Sequence, residues 1–414
     1  MLSHEDNELL TRTNAGTPMG DLMRRYWIPV VFSDQIEKPD GPPVRVELLG
    51  EKLVAFRDTK GRPGLIDERC PHRTASMFFG RNEECGLRCV YHGWKFDIHG
   101  DCVDLPSEPE GSTLQRKVRI KAYPCHEQGG LVWAYMGPAE LKPAFPELEW
   151  TMVPDSHRYV TRRIQECNWL QGLEGGFDTS HLAFLHRGTA ASNRRVVPSQ
   201  YAVVPTDFGF MAGTGRVYKE GEVNWASNLM CMPFHKVFAT SPEAAHMWVP
   251  INDENTMLYS VDYWPDKALT EEELERTITH HGIHTDNIPG TDIPIHNKSN
   301  DYNIDRELQA SGESYTGMQG LGVQDAGIQE SMGPIADRTI EHLGVSDTAI
   351  IQIRKLLLQS LRDFVAGKTP PGLDPVSYRA RSRRFDLPED GSFEDAINEQ
   401  LKRDYGAVAA EAAE

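Results

Sequence analysis

The sequence predicts an α+β fold made of a small all-β domain and a larger domain that mixes helices with strands. Three observations carry this prediction. Residues 41–140 hold short β-rich runs separated by Gly, Asp and Pro. Four prolines between residues 138 and 154 then mark a linker. Between residues 141 and 400, apolar residues recur with helical spacing in some segments and in strand-like runs in others, which indicates an α+β domain.

The two ends of the chain and the small domain follow this division. Residues 1–40 are expected to form an N-terminal helical segment, with helices near 6–10 and 19–27, that packs on the larger domain. Residues 401–414, rich in Ala and Glu, are expected to form a flexible tail. The strands predicted for the small domain cover residues 44–49, 53–57, 118–122 and 131–135.

The clearest helix of the larger domain is predicted at residues 346–366. Ser346 can cap its first turn, and apolar residues then recur every three or four positions until Gly367. Thr270 followed by three Glu predicts another helix start. The remaining predictions are helices at 168–186 and 271–281, strands at 201–210 and 257–264, and a loop at 289–303.

Composition excludes several classes of partner. The 414 residues include 43 Lys and Arg against 61 Asp and Glu, a net charge of −18, which argues against nucleic acid and against an anionic membrane. No run approaches the roughly 20 apolar residues of a spanning helix. The first residues lack the basic-then-apolar order of a signal peptide, and seven cysteines do not make a disulfide scaffold. We therefore expect a cytoplasmic protein.

The small domain contains two short Cys–His units. Cys70 and His72 are two residues apart, and Cys89 and His92 follow after sixteen intervening residues. Two thiolates and two imidazoles suit either tetrahedral zinc or a two-iron cluster with both His on one iron. A zinc finger would place its two His together on one helix, whereas here each His stays beside its own Cys in strand-like surroundings.

A second group of metal-binding residue types lies about 80 residues downstream. Glu174, Asp178 and His181 share one face if the segment is helical, and His186 converges on it only if the helix breaks or ends. Two His and one carboxylate form the facial triad of non-haem Fe(II) oxygenases, which leaves coordination positions open. The alternative is an amphipathic helix with two His on its polar face.

Together these motifs resemble those of the Rieske non-haem iron ring-hydroxylating oxygenases, large (alpha) subunit. The resemblance rests on Cys-Pro-His-Arg and Cys-Val-Tyr-His-Gly-Trp-Lys-Phe, and on the second motif. It implies a Rieske [2Fe-2S] domain at 41–140, with Cys70 and Cys89 on one iron and His72 and His92 on the other. It also implies a catalytic domain at 141–400 with an antiparallel sheet and flanking helices.

The same resemblance implies roles for the second motif. His181 and His186 would bind a mononuclear Fe(II). Asp178 would act as a bridging carboxylate that links His92 of one chain to His181 of the next. Asn168 and Glu174 are either supporting residues of this site or purely structural.

The third iron ligand must come from elsewhere in the chain, and two candidates remain. Asp325 lies where the family places a downstream Asp, at the expected start of a helix. Asp337 follows a Gly-Pro turn and is alternatively a helix N-cap.

The segment Gln-Glu-Ser-Met-Gly-Pro-Ile-Ala-Asp-Arg-Thr resembles the phthalate-dioxygenase-like group. This implies dihydroxylation by O2 of an aromatic carboxylate such as phthalate, isophthalate, phenoxybenzoate or chlorobenzoate, to a cis-diol. The alternative is a monooxygenase or O-demethylase on the same scaffold, and a catalytically inactive Rieske electron carrier would not need the second motif. A homotrimer or stacked hexamer is implied. A separate NADH-dependent iron–sulfur flavin reductase is expected, because the glycines of 209–215 have the wrong spacing for a dinucleotide fold.

Substrate contacts are less sharply indicated. Residues 228–234 and 246–249 are apolar and rich in Met and aromatic side chains, which suits a flat ring but equally an ordinary core. The three histidines between 280 and 284 are expected to form a solvated helix end beside a loop. The candidate donors for a carboxylate are Arg194, Arg195, Arg216, Lys236 and His246.

Overall fold

The computed structural model describes residues 1–110, 112–187, 199–278 and 282–411. The chain forms two compact units. The small unit is Thr13–Phe145, and the large unit combines Met1–Arg12 with Pro146–Glu414.

The expected boundary at residue 40 therefore lies elsewhere. Only the first twelve residues group with the large unit, whereas the strand Trp27–Phe32 belongs to the small one. The physical reason is backbone pairing, since Trp27 to Phe32 lies antiparallel to Leu131–Tyr135 and its hydrogen bonds are satisfied there.

The small unit is built from short strands in three antiparallel sheets. In order across each sheet these are β1-β11-β10, β2-β3-β4-β9 and β5-β6-β7-β8. The strands are β1 (Trp27–Phe32), β2 (Val44–Leu48), β3 (Glu51–Arg57), β4 (Pro63–Asp67), β5 (Arg81–Glu83), β6 (Gly86–Arg88), β7 (Lys95–Phe96), β8 (Cys102–Asp104), β9 (Ala122–Tyr123), β10 (Cys125–Gln128) and β11 (Leu131–Tyr135).

The large unit is organised around one antiparallel sheet of eight strands. Its order is β12-β18-β17-β16-β15-β14-β13, and β19 pairs with β15 beside this path. The strands are β12 (Arg158–Gln165), β13 (Ser199–Thr206), β14 (Gly209–Lys219), β15 (Glu222–Cys231), β16 (His235–Phe238), β17 (Glu243–Pro250), β18 (Thr256–Tyr263) and β19 (Arg383–Pro388).

Helices flank this sheet, and several differ in length from the prediction. The helix predicted at 346–366 is present with the expected apolar stripe, but it begins at Thr348 after Asp347. The helix predicted at 271–281 is described as far as Ile278. In chain order the helices of the described residues are α1 (His4–Thr11), α2 (Pro18–Met23), α3 (Glu149–Met152), α4 (Trp169–Phe177), α5 (Glu271–Ile278), α6 (Arg306–Ser311), α7 (Leu321–Ser331), α8 (Thr348–Val365) and α9 (Phe393–Glu411), of which α2 lies in the small unit and the others in the large one.

The expected flexible tail begins inside a helix. Helix α9 runs through residue 401 and continues to Glu411. Among the described residues, none of the helices combines the length and apolar character that crossing a membrane would require.

Helix α4 lies directly against the sheet because two of its three glycines face a tryptophan of the sheet. A Cβ atom on Gly172 or Gly176 would come within 2.2 and 2.3 Å of the indole of Trp248 on β17. At the other end, the buried Asn168 side chain caps the helix by accepting from the Leu170 N–H. This packing sets the position of the residues that follow the helix.

Candidate metal centres

The two Cys–His units of the small unit form loops with the same backbone hydrogen bonding. The N–H groups four residues after each Cys, those of Thr74 and Gly93, donate to the carbonyls of Cys70 and Cys89 at 2.8 and 2.9 Å. Each Cys N–H in turn donates to the carbonyl five residues on. Thr74 and Gly93 both have φ in the left-handed region, at 59° and 78°. The two loops are therefore matched tight turns.

These turns separate the two donor types. Cys70 and Cys89 are 1% and 2% exposed and belong to the apolar core of the unit, whereas His72 and His92 are half-buried at its surface. The imidazoles of His72 and His92 lie 4.4 Å apart between ring centres, and Trp94 stacks on His72 at 4.3 Å. The donor set, two inner thiols and two outer imidazoles, fits a two-iron cluster with sulfur ligands on one iron and nitrogen ligands on the other.

The second group of candidate residues begins where α4 ends. The helix predicted to continue to 186 stops at Phe177, and Asp178 follows in extended backbone as the C-cap. A short 3₁₀ turn, His181–Ala183, comes next. This break is what brings the two imidazoles together, because His181 Nε2 lies 3.2 Å from His186 Nε2.

Helix α7 supplies a carboxylate to the same point. Asp325 Oδ1 lies 3.5 Å from His181 Nε2 and 3.2 Å from His186 Nε2. One ligand atom from each of the three residues falls within 4.8 Å of the others, a spacing that suits one metal ion. Asp325 stands in the second turn of α7 and not at its start, which corrects the predicted helix boundary.

Asp337 lies outside this cluster. It is exposed, and its carboxylate accepts hydrogen bonds from the N–H and hydroxyl of Thr339. It therefore closes a local turn and caps no helix, contrary to the alternative drawn from the sequence.

Each histidine of the cluster has a different partner on its second nitrogen. His181 Nδ1 lies 3.6 Å from Asp178 Oδ2, and His186 Nδ1 lies 2.7 Å from Gln324 Oε1. Burial opposes ionisation of Asp178, but the neighbouring His181 side chain and the hydrogen bonds from Ser180 outweigh it and lower the pKa of this carboxyl to about 2. Asp178 is therefore an anion at neutral pH.

Glu174 and Asn168 have structural roles. Glu174 is held by Arg338 at 2.9 Å and by Arg354 at 2.6 Å, and all three side chains are buried. Asn168 caps α4, and its amide also donates to the carbonyls of Thr11 and Asp253.

Strand register places several buried polar side chains on one face of the large sheet. Lys236 on β16 pairs with His246 on β17, and His246 pairs with Ser260 on β18. On the other side Lys236 pairs with Met230 on β15, and Asn228 shares that face two residues earlier. Since Trp248 follows His246 by two residues, this is the face that α4 covers.

The other substrate candidates are less central. Arg216 is half-buried on β14, while Arg194, Arg195, His280 and His281 lie outside the described residues. His284 is buried and bridges Asp262 and Thr161. The prediction of a solvated helix end is therefore wrong for this histidine.

Sequence reasoning missed Gln324 and Arg163. Gln324 directly precedes Asp325, so a search of the neighbours of a candidate ligand would have found it. Arg163 is 3% exposed, and its charge helps to lower the pKa of Asp325 against the effect of burial. Its position on β12, far away in sequence, gave no signal.

Two family models match the chain. Residues 26–124 match the Rieske [2Fe-2S] domain, and residues 134–202 and 232–381 match the domain described as LigXa C-terminal domain like. The first match contains both Cys–His loops, and the second contains all three residues of the His181, His186 and Asp325 cluster.

Curated relatives match over nearly the whole chain. The 3-chlorobenzoate-3,4-dioxygenase oxygenase subunit of Comamonas testosteroni is 38% identical, over 96% of this chain and 98% of the relative. The phthalate 4,5-dioxygenase oxygenase subunit of Pseudomonas putida is 37% identical, over 93% and 92%. The 5,5'-dehydrodivanillate O-demethylase oxygenase subunit of Sphingobium sp. is 32% identical, over 92% and 86%.

Solved structures share the fold at low sequence identity. NdmA from Pseudomonas putida CBB5, in a mutant form with theobromine, gives a TM-score of 0.62 at 19% identity, over 91% of this chain and 99% of that chain. Dicamba monooxygenase gives 0.60 at 16% identity, over 84% and 99%.

These matches identify the protein as the oxygenase component of a multicomponent enzyme that uses O2 and depends on a separate reductase. The chain belongs to the Rieske non-haem iron ring-hydroxylating oxygenases, as a large-subunit member of the phthalate-dioxygenase-like group.

Proposed function

We propose that this chain dihydroxylates an aromatic carboxylate to a cis-diol. The reaction would take one O2, two protons and two electrons, and leave both oxygen atoms on the ring. The electrons would come from NADH through an iron–sulfur flavin reductase. The observation that carries the proposal is the cluster of His181, His186 and Asp325 beside a buried, partly polar sheet face.

We assign the two metal centres by their donor chemistry. Two imidazoles and one carboxylate form a facial triad, so His181, His186 and Asp325 would hold Fe(II). Such an iron supplies O2 activation when bound, and the Rieske cluster supplies electrons singly. Cys70 and Cys89 would hold one iron of that cluster, and His72 and His92 the other.

The protein's own groups would orient these ligands. Gln324 accepts the Nδ1–H of His186, which leaves Nε2 available to bind a metal ion at the point where His181, His186 and Asp325 converge. Asp178 would fix His181 in the same way and, as the bridging carboxylate, would link it to His92 of the neighbouring chain. This role requires an assembly, for which we propose a homotrimer or stacked hexamer in the cytoplasm.

A monooxygenase or O-demethylase reaction is the second candidate. One observation favours it, which is the 32% identity to a relative named as an O-demethylase oxygenase subunit. Both reactions would use the same metal ligands, so the position of the substrate over the iron decides between them.

Two measurements test the proposal. Iron and acid-labile sulfide should be close to three and two per chain, with a Rieske-type EPR signal after reduction by dithionite. Turnover of chlorobenzoates and phthalates under ¹⁸O2, with a reductase supplied, should place two labelled atoms in a diol. Zinc without sulfide would contradict the metal assignment. Release of formaldehyde from a methoxylated substrate, with no diol from any carboxylate, would favour the second candidate.

A further inference from the structure

Lys236 carries an amino group into the interior of the large unit. Its side chain lies in the sheet face covered by α4, and the residue is 3% exposed. Nζ donates a hydrogen bond to the carbonyl of Gly176, in the last turn of α4 and two residues before Asp178. The amino group is therefore placed at the end of the helix that leads into the His181 and His186 cluster.

Two aromatic rings lie close to this amino group. Nζ lies 3.9 Å from the ring centre of Phe238 and 4.8 Å from that of Phe177. Within the described part of the chain, no carboxylate oxygen comes within 4.0 Å of Nζ to form an ion pair. Nζ therefore has one carbonyl oxygen and two ring faces around it, but among the described residues no anion that balances its charge.

We propose that Lys236 binds the carboxylate group of the substrate. The inference rests on the proposed function and adds the residue that selects an anionic substrate. A buried positive charge is stabilised by an opposite charge that hydrogen-bonds to it, and a carboxylate supplies both. The rings of Phe177 and Phe238 and the side chain of Met230 offer apolar contacts to the aromatic ring that bears this carboxylate.

The ionisation of the site agrees with this geometry. Burial lowers the pKa of Lys236 to about 7, although the charges of Asp178 and Asp325 raise it in part. A bound carboxylate favours the ammonium form further. His246, on the facing strand, has its pKa lowered well below the ordinary value by burial first and then by neighbouring cations, so it is neutral. Of this facing pair, Lys236 is thus the residue that can take up a proton near neutral pH and pair with a bound carboxylate.

The experiment is equilibrium binding of benzoate and of its uncharged analogue benzamide to the metal-loaded protein, measured by calorimetry without reductase. The variants are Lys236→Met and Lys236→Gln, which remove the charge at nearly constant length. Lys355→Met, on the exposed side of α8, is the matched control. Iron and sulfide contents report whether each variant is intact.

We expect wild type to bind benzoate at least about tenfold more tightly than benzamide. Both Lys236 variants should lose that preference, and Lys355→Met should keep it. Equal affinities of wild type for the two compounds would overturn the inference even if both variants failed to fold. So would intact variants that bind benzoate as wild type does.

The same experiment separates this inference from the proposed function. If benzoate binds tightly and this binding depends on Lys236, but no oxygenated product forms once electrons are supplied, the anion site is supported and the proposed oxygenation of aromatic carboxylates is wrong. If Lys236→Met oxygenates carboxylates with an unchanged KM, the proposed reaction is supported and the proposed role of Lys236 is wrong.

Discussion

His186 Nδ1 and Gln324 Oε1 lie 2.7 Å apart, and this contact determines the tautomer of the histidine. The amide nitrogen of Gln324 donates to Thr316 Oγ1 and to the Met318 carbonyl at 3.1 and 3.0 Å, so its oxygen must face His186. The histidine therefore carries a proton on Nδ1, and Nε2, the nitrogen that faces Asp325 and His181, is the one placed to bind a metal ion.

Replacing Gln324 by Leu should weaken the mononuclear metal site. Without the amide oxygen, the imidazole of His186 loses the acceptor that fixes its ring, and comparable losses lower metal affinity by roughly 10–100-fold. The measurement is iron retained per chain across a chelator titration, with sulfide as the internal reference. Gln324→Glu restores an acceptor and should bind iron nearly as wild type does. Unchanged iron retention in Gln324→Leu would contradict the role of the contact.

Asp325→Ala and Asp337→Ala should differ in iron content. Asp325 provides the carboxylate at the two histidines, whereas Asp337 only closes a turn with Thr339. We expect about one iron fewer per chain in Asp325→Ala, with sulfide unchanged, and full iron in Asp337→Ala. The opposite pattern would make Asp337 the third ligand.

Asp178→Asn should keep both metal centres and lose most activity. The carboxylate is ionised at neutral pH, whereas an amide of the same shape carries no negative charge for the proposed bridge between His181 and His92. We expect unchanged iron and sulfide and a reduced-cluster EPR signal as in wild type, with turnover lower by at least about tenfold. Asp337→Asn is the matched control. A normal steady-state rate in Asp178→Asn would remove the bridging role.

Glu174→Gln should destabilise the large unit in a pH-dependent way. Burial would raise the pKa of Glu174, but Arg338 and Arg354 outweigh it and hold the pKa below its ordinary value of 4.5. The ionic contacts thus stabilise the fold fully above about pH 4.5, and this contribution disappears as the pH falls through the folded-state pKa.

At pH 7 the variant leaves the buried Arg338 without its anion, whereas Arg354 keeps an ion pair with Glu341 at 2.6 Å, and the loss costs about 3–5 kcal/mol. Urea unfolding followed by tryptophan fluorescence measures this difference, which should shrink as the pH falls below 4.5. Glu399→Gln, which alters an exposed ion pair on α9, should change stability little. A loss in Glu174→Gln that stays constant with pH would show that packing, and not charge, is responsible.

The sequence by itself determined the parts of this protein whose chemistry is local. Each Cys–His unit spans only three or four residues, so spacing along the chain was enough to predict ligands on two tight loops. The pair His181 and His186 was likewise visible, and so was the need for a helix break between them. The break at Phe177 was not located, because the end of α4 depends on how it packs against Trp248.

Only the tertiary structure shows which residues from distant parts of the chain meet at a site. Gln324 meets His186 across 138 residues, and sequence spacing carries no information about such a contact. Asp325 and Asp337 are both acids near helix starts in the sequence, and only folding separates a residue facing the two histidines from one that faces solvent. Lys236 was likewise one of five candidate donors in the sequence, and only the strand register shows that it lies on the buried face of the sheet. Its significance comes from its burial with no carboxylate paired to it among the described residues, which depends on every element packed around it.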